Sequence, residues 1–281
     1  MTLNPIYKNE LKLLGRSKQI ILYVLLFNTA LAVVTMISLY IIGSQSASYG
    51  TAPYSMIRTL YLVILTIEIC MLTVLVPPVS AGSIAGERER QTLDILLSSG
   101  LPVNKIVIGK FLSSVSLAVF LMLSSLPVMA LVTMYGGTDP GEVYKSMAYT
   151  ILYIFLAASA GLFCSCFFRK TTSATVAAFV ILLLITIGST VVVVMITMAS
   201  SFTDVHSSLI DLICLILWLF NPAITYTLIA AEIDTVDLLS INSTPLLNFI
   251  QGHYIIFSIV LQVIFIIVML VLTEIFLRRY C

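Results

Sequence analysis

Six apolar runs in this chain are long enough to cross a lipid bilayer, and they restrict the fold more than any other feature. A transmembrane helix needs about 20 predominantly apolar residues. The runs that reach this length are 20–42, 57–79, 106–135, 144–168, 174–199 and 254–277. With 281 residues, 60% of them hydrophobic and 10% charged, the sequence offers little for a separate water-soluble domain. We therefore predict an all-α integral membrane protein in which residues 1–281 form a single transmembrane domain of six helices.

The basic residues predict how the six spans are oriented. If the N-terminus lies in the cytoplasm, twelve of the fourteen Lys and Arg residues fall in inner segments. These are Lys8, Lys12, Arg16, Lys18, Arg88, Arg90, Lys105, Lys110, Arg169, Lys170, Arg278 and Arg279. The outer segments keep Arg58 and Lys145, each beside a span. Because Lys and Arg concentrate in cytoplasmic loops, we predict that both termini are cytoplasmic.

The segment 205–252, between the fifth and sixth runs, contains a further apolar stretch that is interrupted by Asn221-Pro222. A seventh span over 208–231 would place the acidic stretch that follows it, which has no Lys or Arg, in a cytoplasmic loop. The Asn-Pro break also argues against one continuous helix. We therefore predict an extracellular re-entrant helical hairpin before the sixth span, with its backbone covered by protein or water.

A polar segment, residues 86–100, separates the second and third runs and predicts a short helix outside the membrane. Glu87 and Glu89 stand near its start, where carboxylates suit the helix dipole. The residues spaced i, i+3 and i+4 on its apolar face are Leu93, Leu96 and Leu97. An apolar face outside the membrane needs a cover. Either the membrane surface or a partner protein supplies one.

Glu68 lies near the middle of the second run, with no basic residue within a helical turn. A carboxylate at that depth costs about 2.5–3.5 kcal/mol on insertion scales, so it must face a cavity, a partner group or a proton. Two interpretations stay open. Glu68 contacts a substrate or a proton on a transport path, or it accepts a hydrogen bond from a Ser, Thr or Tyr on a neighbouring helix.

The sequence lacks the motifs of an ATPase, an enzyme or a metal protein. No phosphate-binding loop of the form G-x-x-x-x-G-K-[ST] is present. His206 and His253 lie far apart, and a metal site would need more ligands than these two. We expect no catalytic residue, no metal and no cofactor on this chain, and no nucleic-acid partner.

Two stretches on either side of the third-span entrance carry a recognisable pattern. Residues 89–97 contain, in this order, an acidic residue followed by a basic one, a Thr-Leu pair and a Leu-Leu pair. Residues 103–110 end in the Gly-Lys that opens the third span. This pattern resembles the first cytoplasmic loop of ABC-2 type permeases, the membrane subunits of ABC exporters. The usual Pro after the Leu pair arrives late, at Pro102. Residues 7–17, with a Lys-x-Glu-Leu, resemble the entry helix of that family.

The resemblance implies a function and a set of partners. In that family the helix after the second span is a coupling helix, which sits in a cleft of the ATPase subunit. The coupling residues implied here are Glu87, Glu89, Thr92, Leu93, Asp94, Leu96 and Leu97. Two permease chains, identical or related, would line the substrate path, and two ABC ATPase subunits would bind ATP and Mg. The expected protein is the permease subunit of an ATP-driven exporter in a bacterial plasma membrane.

The N-terminal segment 4–17 predicts an amphipathic interfacial helix. Lys8, Lys12 and Arg16 recur at i, i+4 and i+8 and form a basic stripe suited to anionic lipid headgroups. Glu10 falls inside the apolar arc of the same helix. Either its carboxylate snorkels to water or, as the resemblance implies, it faces the ATPase or a neighbouring basic residue.

Two other functions are alternatives to export. An ion-coupled secondary transporter is expected to show internal repeats with broken helices at matching positions, and the sequence shows neither. A non-transporting subunit of ABC-2 architecture would pass ATPase motion to an extracytoplasmic partner. Its outer loops are expected to be larger, and here only 205–252 is long.

Overall fold

The computed structural model describes residues 7–8, 10, 12, 18–49, 54–98, 102–134, 139–203, 208–231, 250 and 252–279. All regular structure in these residues is helical. A helix satisfies its backbone N–H and C=O groups within one segment, which is what a chain surrounded by lipid requires. The prediction of an all-α fold is confirmed for the described residues.

The helices of the described residues are numbered in chain order. They are α1 (Lys18–Tyr49), α2 (Tyr54–Glu89), α3 (Leu93–Leu97), α4 (Val103–Ser124), α5 (Leu126–Met134), α6 (Pro140–Phe167), α7 (Thr171–Leu183), α8 (Ser189–Thr203), α9 (Ser208–Leu219), α10 (Pro222–Ala231) and α11 (Tyr254–Arg278). Ser125 alone separates α4 from α5, and a π-helical turn over Leu184–Gly188 joins α7 to α8. By length and composition, six segments of the described residues are able to cross a membrane. These are Ile20–Ser44, Arg58–Glu89, Val103–Met134, Gly141–Phe167, Thr171–Ala199 and Tyr254–Arg278, in agreement with the six predicted runs.

Helix α6 lies at the centre of the bundle. In its most apolar stretch 72% of the residues are buried, against 17% in α1 and in α11. The small residues 157–161 let other helices approach its backbone closely. A Cβ atom added at Gly161 would overlap the hydroxyl oxygen of Ser80 in α2. One turn further on, Oγ of Ser165 accepts hydrogen bonds from the backbone N–H groups of Ile84 and Ala85, at 2.9 and 2.8 Å.

Helices α9 and α10 form a bent pair with an angle of 79° between them. Asn221 lies buried at the bend, and its Nδ2 is 2.8 Å from the carbonyl oxygen of Thr186 and from the hydroxyls of Ser189 and Thr190. Its Oδ1 accepts the backbone N–H of Ala223, at 2.9 Å, which caps α10. The side-chain amide of Asn221 is thus satisfied by protein, as a bend at membrane depth would require.

The bent pair falls inside the region predicted to form a hairpin. Its geometry is that of a broken span or of a re-entrant loop. The remainder of the predicted region, at 205–207, 232–249 and 251, lies outside the described residues.

The close approach of α2 and α6 gives a test of the fold. We expect Gly161→Val to lower the free energy of unfolding by about 1–3 kcal/mol, because the added carbons force the two backbones apart. Gly43→Val is the matched control, since a Cβ atom at Gly43 meets no atom within 4 Å. Thermal unfolding of the purified protein measures both variants. Equal unfolding temperatures for the two variants would contradict this account of the packing.

Candidate functional site

The segment predicted to be one helix over 86–100 is divided in the structure. Helix α2 continues to Glu89, the chain turns at Arg90 and Gln91, and the five-residue helix α3 follows. Gln91 takes a left-handed backbone conformation, with φ at 59°. The predicted place of Glu87 and Glu89 in the first turn of a helix is therefore wrong. They stand in the last turn of α2, where the dipole disfavours carboxylates, and other groups stabilise them.

Glu87 links three elements at this end of the bundle. Its Oε2 accepts a hydrogen bond from the Thr92 hydroxyl, which precedes α3. The backbone N–H of Thr92 also donates to the Glu87 carbonyl, at 2.9 Å. The second carboxylate oxygen, Oε1, lies 3.6 Å from Nζ of Lys110 in α4. The start of α3 is thus fixed to the end of α2 and to the following span.

Lys110 is a site residue that the sequence analysis did not select. Its side chain is 3% exposed, and its Nζ donates to Oε1 of Glu10, at 3.0 Å, and to the carbonyl oxygen of Ser83, at 2.8 Å. Glu10 therefore faces a neighbouring basic residue, one of the alternatives left open above. The sequence did contain one signal for this ion pair. Lys110 follows Ile106 and Val107 by one helical turn and so shares their buried face of α4, and a buried ammonium requires an acidic partner.

Arg88 and Glu89 fix the loop between α6 and α7. Nη1 of Arg88 donates to the carbonyl oxygens of Cys166 and Phe168, at 3.1 and 3.3 Å. Oε2 of Glu89 accepts the hydroxyl and the backbone N–H of Thr171, at 2.9 and 3.3 Å, and so caps the start of α7. The last turn of α2 is consequently joined to a second loop at the same end of the bundle.

The apolar face of α3 points mainly into the protein itself. Leu93 is 6% exposed and belongs to the main core, and the half-buried Leu96 packs against that core. Asp94 is exposed, and Ile95 is exposed over 70% of its surface. Leu93 is therefore covered by this chain itself and Leu96 in part, whereas their contact with an ATPase stays a prediction. The side chain of Leu97 lies outside the described part.

The N-terminal segment is described at four positions. Lys8 and Lys12 are exposed, whereas Tyr7 and Glu10 are half-buried, and the Tyr7 hydroxyl lies 2.9 Å from Oγ of Ser116 in α4. This arrangement agrees with a helix whose basic residues face away from the bundle. Arg16 and the other predicted positions of this helix lie outside the described residues.

Glu68 is 1% exposed and has a protein partner. Oγ of Ser125, at the break between α4 and α5, donates to Oε1 of Glu68 at 2.6 Å. This contact is the hydrogen bond to a neighbouring helix that one interpretation required. The described residues contain no group of three or more His, Cys, Asp or Glu side chains able to hold a metal ion.

The sequence profile of a family described as ABC-2 family transporter protein matches residues 4–279. The chain belongs to the ABC-2 transporter family. The family prediction is confirmed, and the match covers every span and α3. This ABC-2 protein is accordingly a multi-pass membrane component of an ABC transporter, and its family pairs with an ABC ATPase. A search of curated proteins found no match.

The buried Lys110 gives a test of the ionic contacts in this ABC-2 protein. We expect Lys110→Met to lower the free energy of unfolding by about 1–3 kcal/mol, because Glu10 and Glu87 lose their cation. Adding Glu10→Gln to Lys110→Met is expected to recover part of that loss. A double-mutant cycle by thermal unfolding measures the coupling, with the exposed Lys105→Met as control. Additive effects of the two substitutions would contradict the pairing.

Proposed function

We propose that this chain is the permease subunit of an ATP-driven exporter in a bacterial plasma membrane. In this proposal two permease chains, identical or related, form the substrate path, and two ABC ATPase subunits bind ATP and Mg and carry out the hydrolysis. The permease chain itself catalyses no reaction. Family membership supports the ATPase partner, and the concentration of Lys and Arg at the α3 end of the bundle supports cytoplasmic termini.

The observation that carries the proposal is the rigid attachment of α3. One side of this short helix packs on the core through Leu93, while Glu87 fixes its start to α2. The opposite side presents Asp94 and Ile95 to the surroundings. A partner that contacts the exposed side moves α3 and the spans on either side of it as one body.

The contacts of Arg88 and Glu89 extend this coupling beyond the second and third spans. Because they bind the carbonyl of Phe168 and the start of α7, motion of the α2 end also reaches the fourth and fifth spans. Exposed Arg169 and Lys170 stand in the same loop. We propose that this loop and α3 together form the surface that the ATPase contacts.

The bent pair α9–α10 fits an element that enters the membrane from the outer face and turns back. In the orientation proposed here, α8 runs toward the outer face and α11 returns from it. The bonded Asn221 supplies the polar contacts that a turn at membrane depth needs.

The exposed Ile95 tests the proposed ATPase contact. We expect Ile95→Glu to lower ATP-driven transport at least roughly tenfold, because a charge replaces the exposed apolar side chain of the proposed contact. Insertion and unfolding temperature are expected to stay unchanged, since the side chain is exposed in the permease. Transport and substrate-stimulated ATP hydrolysis in proteoliposomes containing permease and ATPase measure the effect. Asn104→Glu, an exposed position just past the segment, is the control, and normal coupling in Ile95→Glu would refute the assignment.

Glu68 gives a separate test of the substrate path. We propose that its carboxylate takes part in transport in addition to accepting the Ser125 hydrogen bond. Glu68→Gln keeps the size and the acceptor oxygen but removes the titrating group. We expect it to change the rate of transport or its pH dependence while the unfolding temperature changes little. Ser125→Ala, which keeps the carboxylate, is the control, and wild-type transport by Glu68→Gln at all pH values would leave Glu68 a structural residue.

A further inference from the structure

A cavity of about 420 Å³ opens beside the buried lysine, between the N-terminal segment, α1, α2 and α4. Its volume lies within the roughly 300–1,000 Å³ typical of small-molecule sites. Its walls come from the ends of the same helices that hold α3. Neither the hydrogen bond of Glu68 nor the exposed side of α3 belongs to it.

The lining of this cavity changes from charged to apolar along its length. On α4, Lys110 is followed one turn deeper by the hydroxyls of Ser113 and Ser114 and two turns deeper by Leu117. On α2 the order is the same, with Arg90 at the end of the helix and Val79 deeper. At 1.5 Å per residue, the lining spans about 10 Å on α4 and about 17 Å on α2. Such a gradient matches an amphiphile whose polar head lies at the bundle end and whose chains enter the apolar part.

The charges of the polar end are separated into two groups. Glu10 and Glu87 share the single ammonium of Lys110, which leaves this group with a formal charge of −1. Arg90, just past the end of α2, is exposed, lines the same cavity and adds +1. An anionic headgroup would be repelled by the two carboxylates here. A cationic headgroup would be repelled by the Lys110 ammonium and the Arg90 guanidinium. A zwitterion satisfies both groups, with its ammonium toward the carboxylates and its phosphate toward the guanidinium.

We propose that this cavity binds the headgroup of a zwitterionic phospholipid that carries a primary ammonium, of the phosphatidylethanolamine type. A primary ammonium donates hydrogen bonds to Glu10 and Glu87, which a quaternary ammonium lacks the N–H groups to do. The phosphate binds Arg90, and the first carbons of the chains contact Val79 and Leu117. In the orientation proposed above, this lipid comes from the cytoplasmic leaflet. The site is a property of the permease chain and does not depend on ATP hydrolysis.

Lipid binding to the purified, delipidated permease tests the proposal. Native mass spectrometry compares phosphatidylethanolamine, phosphatidylcholine and phosphatidylglycerol with identical acyl chains. We expect phosphatidylethanolamine to bind at least roughly fivefold more tightly than the other two, because only its headgroup satisfies both charged groups. Equal affinity for the three lipids, or preference for either of the other two, would overturn the proposal.

Two substitutions in the cavity test whether the lipid binds at this site. Arg90→Gln is expected to weaken phosphatidylethanolamine binding roughly fivefold to tenfold, and Arg279→Gln, an exposed charge outside the cavity, to leave it unchanged. Gly82→Leu fills the cavity without a backbone clash, since a Cβ atom there meets nothing within 4 Å. We expect it to abolish the preference, with Gly43→Leu as the matched control. Wild-type binding by both cavity variants would overturn the site.

A binding measurement with a water-soluble headgroup distinguishes a membrane lipid from a free headgroup as the ligand. Phosphoethanolamine alone offers the same ammonium and phosphate without the chains that contact Val79 and Leu117. Tighter binding of the lipid than of phosphoethanolamine supports a lipid ligand. Equal affinity would overturn the lipid part of the proposal. Because these experiments need no ATPase, their failure leaves the coupling proposal standing, and failure of the Ile95 test leaves the lipid site standing.

Discussion

The contact between α2 and α6 is the one on which the rest of the structure depends. Gly161 brings the two backbones close enough for the Ser165 hydroxyl to accept two backbone N–H groups of α2. In lipid, where apolar surfaces gain little by meeting one another, such close approach and shared hydrogen bonds are what hold helices together. Because α2 is fixed along its inner half in this way, its last turn stands at a defined place, and that turn carries Glu87, Arg88 and Glu89.

From that turn, polar contacts reach α3, α4, the loop between α6 and α7 and the N-terminal segment. Glu87 meets α3 and α4, Arg88 and Glu89 meet the loop before α7, and Lys110 draws in Glu10 from the N-terminal segment. The coupling surface and the neighbouring cavity therefore share one framework. A partner that displaces α3 also changes the charged end of the cavity, so lipid binding and ATPase contact are expected to influence each other.

Apolar length made the six spans predictable, because the cost of exposing backbone groups to lipid leaves few alternatives to a helix. The position of α3 between the second and third spans also followed from the sequence. The side toward which its apolar face points did not follow from the sequence, since a row of leucines suits the protein's own core as well as a partner. In the structure Leu93 packs on the core of this chain. The pairing of Lys110 with Glu10 was hidden by their sequence separation of 100 positions. Only folding brings those two charges together.

The bond network at Asn221 has a consequence for how the sequence of this protein varies. The Asn221 amide nitrogen donates to the carbonyl of Thr186, which lies in the π-helical turn, and to the hydroxyls of Ser189 and Thr190 just after that turn. Straightening that turn would move these three acceptors relative to one another, and replacing the amide would remove the oxygen that accepts the backbone N–H of Ala223. Related sequences should therefore keep the amide and the irregular turn together or lose both together, and an engineer who alters one must redesign the other.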